Sequence, residues 1–257
     1  DAFDDDGDRA DAVPPQLHVP VGISVNYTFW EGLYAGVGLV ARYRSIAAND
    51  DASPATVERS SFGLADLEIR AGWKSKFGII APSVEIAGKI DLGKTAVDLD
   101  ADEVETSDNM HGLRVGAAVL VTVMPVLDVG VRFASTIHFE REIERADHTK
   151  FDKKNGVLFD AALVLSGSVS LGAVALLYGL DLGYLHQLTN QVDGVDVPKS
   201  TMNMLYITPS VGVKITQHQL RVTLGYLDGD MMAGIPLIGR NRVVPIVPCT
   251  FSYTFSM

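Results

Sequence analysis

The chain has 257 residues, of which 21 are Lys or Arg and 32 are Asp or Glu, so its formal net charge is −11. The hydrophobic share of 47% excludes a disordered chain, the single cysteine excludes a disulfide framework or a multi-cysteine zinc site, and the acidic balance disfavours a nucleic-acid-binding protein. The mean hydropathy is +0.18, yet the sequence contains no apolar run of about 18 residues that could form a membrane-spanning helix.

Apolar and polar residues alternate along most of the chain. In residues 33–44, for example, Val37 and Leu39 fall on one face and Gly38 and Arg42 on the other. Successive side chains of a strand point to opposite faces, so this pattern predicts amphipathic strands. In chain order the predicted strands are 17–30, 33–44, 62–74, 79–92, 111–122, 127–140, 157–169, 172–188, 203–216, 219–229 and a last strand around 250–255.

The connections between these strands alternate in length. Short turns are predicted near residues 30–32, 75–78, 124–126, 170–171 and 217–218, and long polar connections near 45–60, 93–109, 141–156, 189–201 and 228–241. Tight turns at one end and long loops at the other are typical of a transmembrane β-barrel. Most strands have ten or more residues, which suits a tilted membrane crossing better than the roughly 5–6 residues common in soluble sheets.

The residue types on the two faces favour a membrane barrel over the alternative, a soluble β-barrel or sandwich. The polar face carries many glycines, which suit a crowded interior, and the apolar face has aromatic residues near strand ends, as interfacial girdles do. The C-terminal stretch 251–257 also resembles the assembly signal of bacterial outer-membrane proteins. We therefore predict an all-β, antiparallel up-and-down transmembrane barrel formed by residues 17–257 and located in the bacterial outer membrane.

Eleven strands are an odd number for such a barrel. If the turn near residues 30–32 is periplasmic, strand 17–30 descends from outside, and the acidic segment 1–16 is an outer loop. We therefore expect a further strand to precede this chain and to bring the total to about twelve.

A family resemblance covers residues 17–93. The stretches 62–74 and 80–93, beginning Phe62-Gly-Leu-Ala-Asp-Leu and Ile80-Ala-Pro-Ser-Val, resemble two consecutive strands of the outer-membrane transporters related to the MetA proteins of phenol degradation. The stretch Val25–Leu39 resembles their first hairpin. The resemblance implies a barrel that moves hydrophobic compounds, and it implies no catalytic residues.

The alternation also predicts which charged side chains face the interior. The inward basic residues are Arg42, Arg44, Arg70, Lys74, Lys89, Arg114, Arg132, Lys214 and Arg221, and the inward acidic residues are Asp66, Glu68, Glu85, Asp91, Asp128, Glu140, Asp160 and Asp181, with His138 on the same face. Nine positive and eight negative charges give 9 − 8 = +1. Two readings stay open: a solute path, or a network of ion pairs that fills a narrow, rigid scaffold.

The excess negative charge lies in two segments outside the strands. Residues 1–12 and 93–108 each hold six acids and one base, net −5 apiece. The acids singled out in the second segment are Asp98, Asp100, Asp102, Glu103 and Glu105. We expect a solvated loop there; a Ca²⁺ site, a basic partner or lipopolysaccharide-bridging cations are the alternatives.

Signals for catalysis are weak. None of the six histidines is followed two residues later by Ser, the element used by outer-membrane phospholipases and deacylases, and His138 with Glu140 fits an interior charge network better than a catalytic pair. We predict that the protein is not an enzyme and uses no cofactor or metal. Its expected partners are membrane lipid and lipopolysaccharide. The predicted function is a passive channel for small solutes; the alternative is a non-conducting anchor or subunit of an envelope assembly.

Overall fold

The computed structural model describes residues 16–49, 56–95, 98–100, 103–107, 111–144, 148–224, 235–239 and 249–256. The strands are β1 (Gln16–Trp30), β2 (Leu33–Asn49), β3 (Thr56–Lys74), β4 (Ile80–Asp91), β5 (Gly112–Met124), β6 (Leu127–His138), β7 (Arg141–Glu144), β8 (Lys150–Lys154), β9 (Leu158–Leu171), β10 (Val174–Gln187), β11 (Gln191–Val192), β12 (Val195–Asp196), β13 (Met202–Ile215), β14 (His218–Leu224), β15 (Ile235–Gly239) and β16 (Cys249–Ser256). Among the described residues, no helix is long and apolar enough to cross a bilayer.

The main sheet has twelve strands, eleven of which pair in a closed ring. Neighbours along the chain pair antiparallel from β1 to β6, followed by β9, β10, β13, β14 and β16. The first and last strands then close the ring with a parallel pairing, from Val21 opposite Phe251 to Asn26 opposite Ser256. The twelfth strand, β15, pairs with residues 204–207 of β13, beyond the part of β13 that β14 covers.

The eleven predicted strands are confirmed, with ends within a few residues except where β2 and β3 are longer than expected; the predicted part of β14 over 225–229 lies outside the described residues. The parallel contact of β1 with β16 occupies the place where the expected preceding strand would pair, and that strand stays a prediction. The acidic segment 1–16 lies outside the described residues except for Gln16, with which β1 begins.

All five predicted short turns join neighbouring strands at one end of the ring, here called the short-turn end. The turn between β1 and β2 shows why it is tight: Glu31 and Gly32 both have positive φ, 34° and 89°. A side chain at Gly32 would also meet the carbonyl oxygen of Lys74, since a Cβ there would lie 1.7 Å from it. Only glycine meets both conditions, so the short connection is encoded locally.

The opposite end, here called the loop end, holds structure that the alternation did not predict. Two of the predicted long connections contain hairpins, β7–β8 and β11–β12, which pair through β8 and β11 into a separate four-stranded sheet. The predicted long connections over 141–156 and 189–201 are present, but the hairpins within them were not predicted. These short strands escaped prediction because each has five residues or fewer, too few for an alternating pattern to be recognised.

The exterior of the ring is apolar. Val37, Val115, Val131, Leu163 and Val211 on five different strands are all exposed, whereas Arg114 and Arg132, next to two of them, line an interior cavity. A water-soluble barrel has the opposite arrangement, with its apolar side chains inside. The predicted assignment of faces is therefore confirmed for these strands.

Candidate functional site in the barrel interior

A buried ion-pair cluster lies in the half of the interior nearer the loop end. Arg42 on β2 donates from Nη2 to Asp66 Oδ2 on β3 at 3.1 Å, and Lys89 Nζ on β4 lies 3.4 Å from Asp66 Oδ1. All three side chains are buried. Two cations thus contact one buried carboxylate and offset the free-energy cost of removing its charge from water, so loss of either cation would leave that cost less well compensated.

A β-bulge in β3 sets the inward face around this cluster. The register with β2 shifts between Val40 opposite Asp66 and Ala41 opposite Leu64, so Ala65 is the extra residue and is fully buried. Because of this extra residue, Leu64 stays on the exposed exterior, and Gly63 faces the interior. Regular alternation would have turned Leu64 inward.

In the connection between β4 and β5, the structure describes residues 92–95, 98–100 and 103–107, which are here called the inward loop because residues 103–107 fold into the barrel mouth. Arg42 Nη1 donates to the carbonyl oxygen of Thr106 at 2.6 Å, and Arg44 Nη1 donates to that of Glu105 at 3.2 Å. The N–H of Val104 donates to Ser61 Oγ at 2.8 Å. The loop backbone is therefore held against the inner wall by side chains of β2 and β3.

Hydrogen bonds also join the two ends of the inward loop to each other and to the barrel wall. The N–H of Lys94 donates to Thr106 Oγ1 at 2.9 Å, and the N–H of Ser107 donates to the carbonyl oxygen of Lys94 at 3.1 Å. The Ser107 hydroxyl donates to Asp91, which also accepts from Arg141 Nη1 at 2.8 Å. Thr106 and Ser107 have almost no solvent exposure, so this part of the loop fills space at the mouth.

These contacts divide the predicted acidic residues into two groups. Asp98 and Asp100 are exposed at the loop tip, as expected of a solvated segment, while Asp102 lies outside the described residues. Glu103 lies 2.5 Å from Lys94 Nζ, and Glu105 is half-buried. The prediction of a wholly solvated loop was therefore wrong for residues 103–107, which lack an apolar pattern and gave no signal that they would fold inward.

The exposed acids of the loop are in their charged form at neutral pH. The hydrogen bond from Lys94 lowers the pKa of Glu103, and the same contact raises the pKa of Lys94. The hydroxyl and N–H of Thr95 lower the pKa of Asp98. The loop tip thus has a negative surface at the loop end of the barrel.

A second cluster lies on the opposite wall. Arg132 on β6 lies 3.2 Å from Asp160 on β9, forms an ion pair with Asp181 on β10, and donates to Tyr206 Oη on β13 at 3.1 Å. The Tyr206 hydroxyl donates in turn to Asp160. Gly183 makes room for the Tyr206 ring, since a Cβ there would lie 2.2 Å from ring atom Cζ.

An apolar cluster inside the barrel lies next to Tyr206, towards the loop end. Its members Leu158, Ala162, Leu185, Met202 and Met204 are all buried, on β9, β10 and β13. The alternation did not predict it, although Leu185 on the polar side of its strand was a signal of an apolar interior patch. Together with the inward loop, this cluster narrows the interior at the loop end.

A polar cavity of about 430 Å³ lies nearer the short-turn end. Its lining includes Arg114, Arg132, Asp160, Asp181 and Arg221, five of the predicted inward charges. The interior thus has two zones: a filled zone near the loop end and an open zone near the short turns.

The other predicted interior residues occupy separate positions along the wall. Glu68 and Arg70 pair at 3.1 Å, and Glu85 accepts from Tyr34 Oη at 2.6 Å while lying 3.8 Å from Arg114. His138 is buried, with Nδ1 3.0 Å from the carbonyl oxygen of Gly156. Glu140, Lys74 and Lys214 are exposed near the ends of their strands, and Glu140 lies beyond β6 rather than within it as predicted. Among the described residues, no group of three His, Cys, Asp or Glu side chains could hold a metal ion.

The fold resembles that of a solved bacterial protein. It superimposes on the COG4313 outer membrane channel from Pseudomonas putida F1 with a TM-score of 0.57 and 15% sequence identity, over 82% of this chain and 75% of that one. No protein-family model matches the sequence, and no curated protein matches it. The similarity shows the fold and confirms the predicted outer-membrane β-barrel class, whereas the resemblance to the MetA family stays a prediction.

Proposed function

We propose that this protein is a channel of the bacterial outer membrane that admits small solutes. The supporting observation is the inverted distribution of side chains: an apolar exterior around an interior with charged groups and a cavity of about 430 Å³. Burying one Val, Leu or Phe side chain is worth about 1.5–3 kcal/mol, so a belt of exposed apolar residues favours a lipid surrounding. Lipid and lipopolysaccharide are then the partners of the exterior.

The inward loop would set the width of such a channel at its loop end. It occupies the loop-end mouth, and its contacts to Arg42 and Arg44 hold it at the wall. The solute path then runs between this loop, the Arg132 cluster and the cavity below them. A narrow route of this kind favours small solutes over large ones.

Liposome swelling tests the proposal. Liposomes containing the full chain are expected to swell in a small neutral sugar faster than empty liposomes. Ser210→Trp should slow the swelling, because Ser210 lines the cavity and an indole ring would fill it. Gln217→Trp, in the exposed turn between β13 and β14, is the control and should swell like the parent chain. Equal swelling of empty and protein-containing liposomes would contradict a channel.

A second candidate is a non-conducting scaffold within an envelope assembly. The observation that favours it is the pairing of interior charges, in which Asp66 and Arg132 each contact two groups of opposite sign. In that case the full chain would give no swelling, and a partner recovered with it from the membrane would be lost when residues 98–100, which include the exposed Asp98 and Asp100, are deleted.

A further inference from the structure

The polar cavity exists because one row of side chains across four strands is small. Ser166, Gly179, Ser210 and Thr223 are consecutive partners across β9, β10, β13 and β14. All four line the cavity, and a Cβ at Gly179 would lie only 2.8 Å from Ser210 Oγ. The row therefore forms a shallow floor with three hydroxyl groups, where larger residues would close the space.

The charged side chains around this floor differ in how many ion pairs they form. Both aspartates of the cavity, Asp160 and Asp181, are bound by the same guanidinium, that of Arg132. Arg221 lines the cavity as well, yet within the described part of the chain it forms no ion pair, and its Nε has no hydrogen-bond partner. Arg114 has one acidic contact, to Glu85 at the long distance of 3.8 Å.

Positive groups thus outnumber negative groups in the lining of the cavity. The lining holds three arginines and two aspartates, and the aspartates already accept from Arg132. A guanidinium presents its N–H groups as a fork that fits a carboxylate in a bidentate manner, which a lysine cannot do. Gly212, the residue opposite Arg221 on β13, has no side chain that could compete for this fork.

We propose that Arg221, assisted by Arg114 and the hydroxyl floor, binds the carboxylate of a small organic anion in this cavity. The hydrocarbon part of the solute would pack against Ala118, Leu120 and Val164, which line the same space. Apolar walls with a few convergent polar groups are the usual composition of a small-molecule site. The inference deepens the proposed channel function, because it names the class of solute that the channel retains.

Equilibrium dialysis of labelled benzoate against the full chain in detergent tests the site without requiring conduction. We expect saturable binding of one benzoate, weakened at least about tenfold in Arg221→Gln and weakened less in Arg221→Lys, which keeps the charge but loses the fork. Lys214→Gln is the matched control, since it removes one positive charge from the exposed end of β13 and should leave binding unchanged. Benzyl alcohol, with the same ring but no charge, should bind at least about tenfold more weakly than benzoate.

Equal benzoate binding by Arg221→Gln and the parent chain would overturn the proposal, as would equal binding of benzyl alcohol and benzoate. Heat-dependent gel migration of each variant shows that it has folded, and a variant that fails this check is replaced by Arg114→Gln. Liposome swelling in neutral sugar separates the two proposals. A chain that binds benzoate but does not swell liposomes refutes the channel alone, and a chain that swells liposomes without binding benzoate refutes the site alone.

Discussion

At the scale of single residues, Arg42 connects the wall of the barrel to the loop that fills its mouth. One of its terminal nitrogens donates to Asp66 and the other to the carbonyl oxygen of Thr106, and the side chain is buried. Arg42→Met keeps much of the volume but removes a cation from the buried Asp66 and the donor of the loop carbonyl. Removing one partner of a buried ion pair costs about 3–5 kcal/mol.

We therefore expect Arg42→Met to lower the free energy of unfolding by an amount in that range, measured by urea titration of the detergent-solubilised barrel with gel migration as the readout. Lys150→Met provides the comparison, because Lys150 lies 2.8 Å from Glu142 with both side chains more than half exposed. Exposed pairs contribute about 0–1 kcal/mol, so the control should change little. Similar losses in the two variants would show that the Arg42 cluster does not hold the mouth together.

At the scale of strands and loops, the sequence was most informative where the pattern was longest. Eleven strands followed from alternation over ten or more residues, because the period of two is maintained by the barrel wall itself. The bulge at Ala65 and the inward loop did not follow, since neither has a repeating pattern. Residues 103–107 are mainly polar in sequence, and their contacts with Arg42, Arg44, Ser61 and Asp91, which hold them inside, depend on the folded barrel.

For the candidate site, the sequence predicted which side chains face the interior but not which of them are in contact. Alternation placed Arg132, Asp160 and Asp181 on the inner face, but it could not say that they meet, because that depends on how β6, β9 and β10 align. Arg132 lies opposite Ala162, two residues from Asp160 on β9, and Asp181 on β10 lies opposite Val164, so the three charges meet only as diagonal neighbours across two pairings. The strands around the cavity also had to be aligned before Ser166, Gly179 and Ser210 could be recognised as one row.

A reversible crosslink tests whether the inward loop controls passage. A Cβ at Gly63 would lie 3.6 Å from Thr106 Oγ1 and 3.9 Å from Thr106 Cγ2, so cysteine side chains at the two positions would face each other within reach of a disulfide. In a chain carrying Gly63→Cys, Thr106→Cys and Cys249→Ser, oxidation should fix the loop in the mouth, and conductance in a planar bilayer should fall below that of the reduced form. Addition of a reducing agent should restore the conductance of the reduced form.

The single-cysteine variant Gly63→Cys with Cys249→Ser is the control, because it has the added side chain but cannot form the intramolecular bond. It should respond to neither oxidant nor reductant. A crosslinked barrel whose conductance equals that of the reduced form would show that solutes do not pass beside the loop.

At the scale of the whole molecule, the apolar excess and the net charge have different locations. The described apolar residues form the outer surface of the ring, and the predicted interior charges nearly cancel, so most of the net charge of −11 belongs in the sequence to residues 1–12 and 93–108. The acids of the inward loop, with pKa values lowered at Asp98 and Glu103, belong to the loop end. The negative charge therefore acts on whatever approaches that end, and the wall is left free to contact lipid.

The cost in folding free energy of an arginine on the outer wall shows whether lipid or water surrounds the barrel. Val131 lies near the middle of β6, and its side chain is 54% exposed on the outer face. In lipid, Val131→Arg should cost about 2–4 kcal/mol, as arginine does at the bilayer midplane of other barrels. Val195 on the β11–β12 hairpin is even more exposed, at 68%, but belongs to the separate sheet at the loop end, where Val195→Arg should be nearly neutral. The measurement is the urea dependence of folding into lipid vesicles, read by gel migration. If the wall instead faced water, both substitutions would leave the folding free energy unchanged within about 0.5 kcal/mol, as surface substitutions usually do.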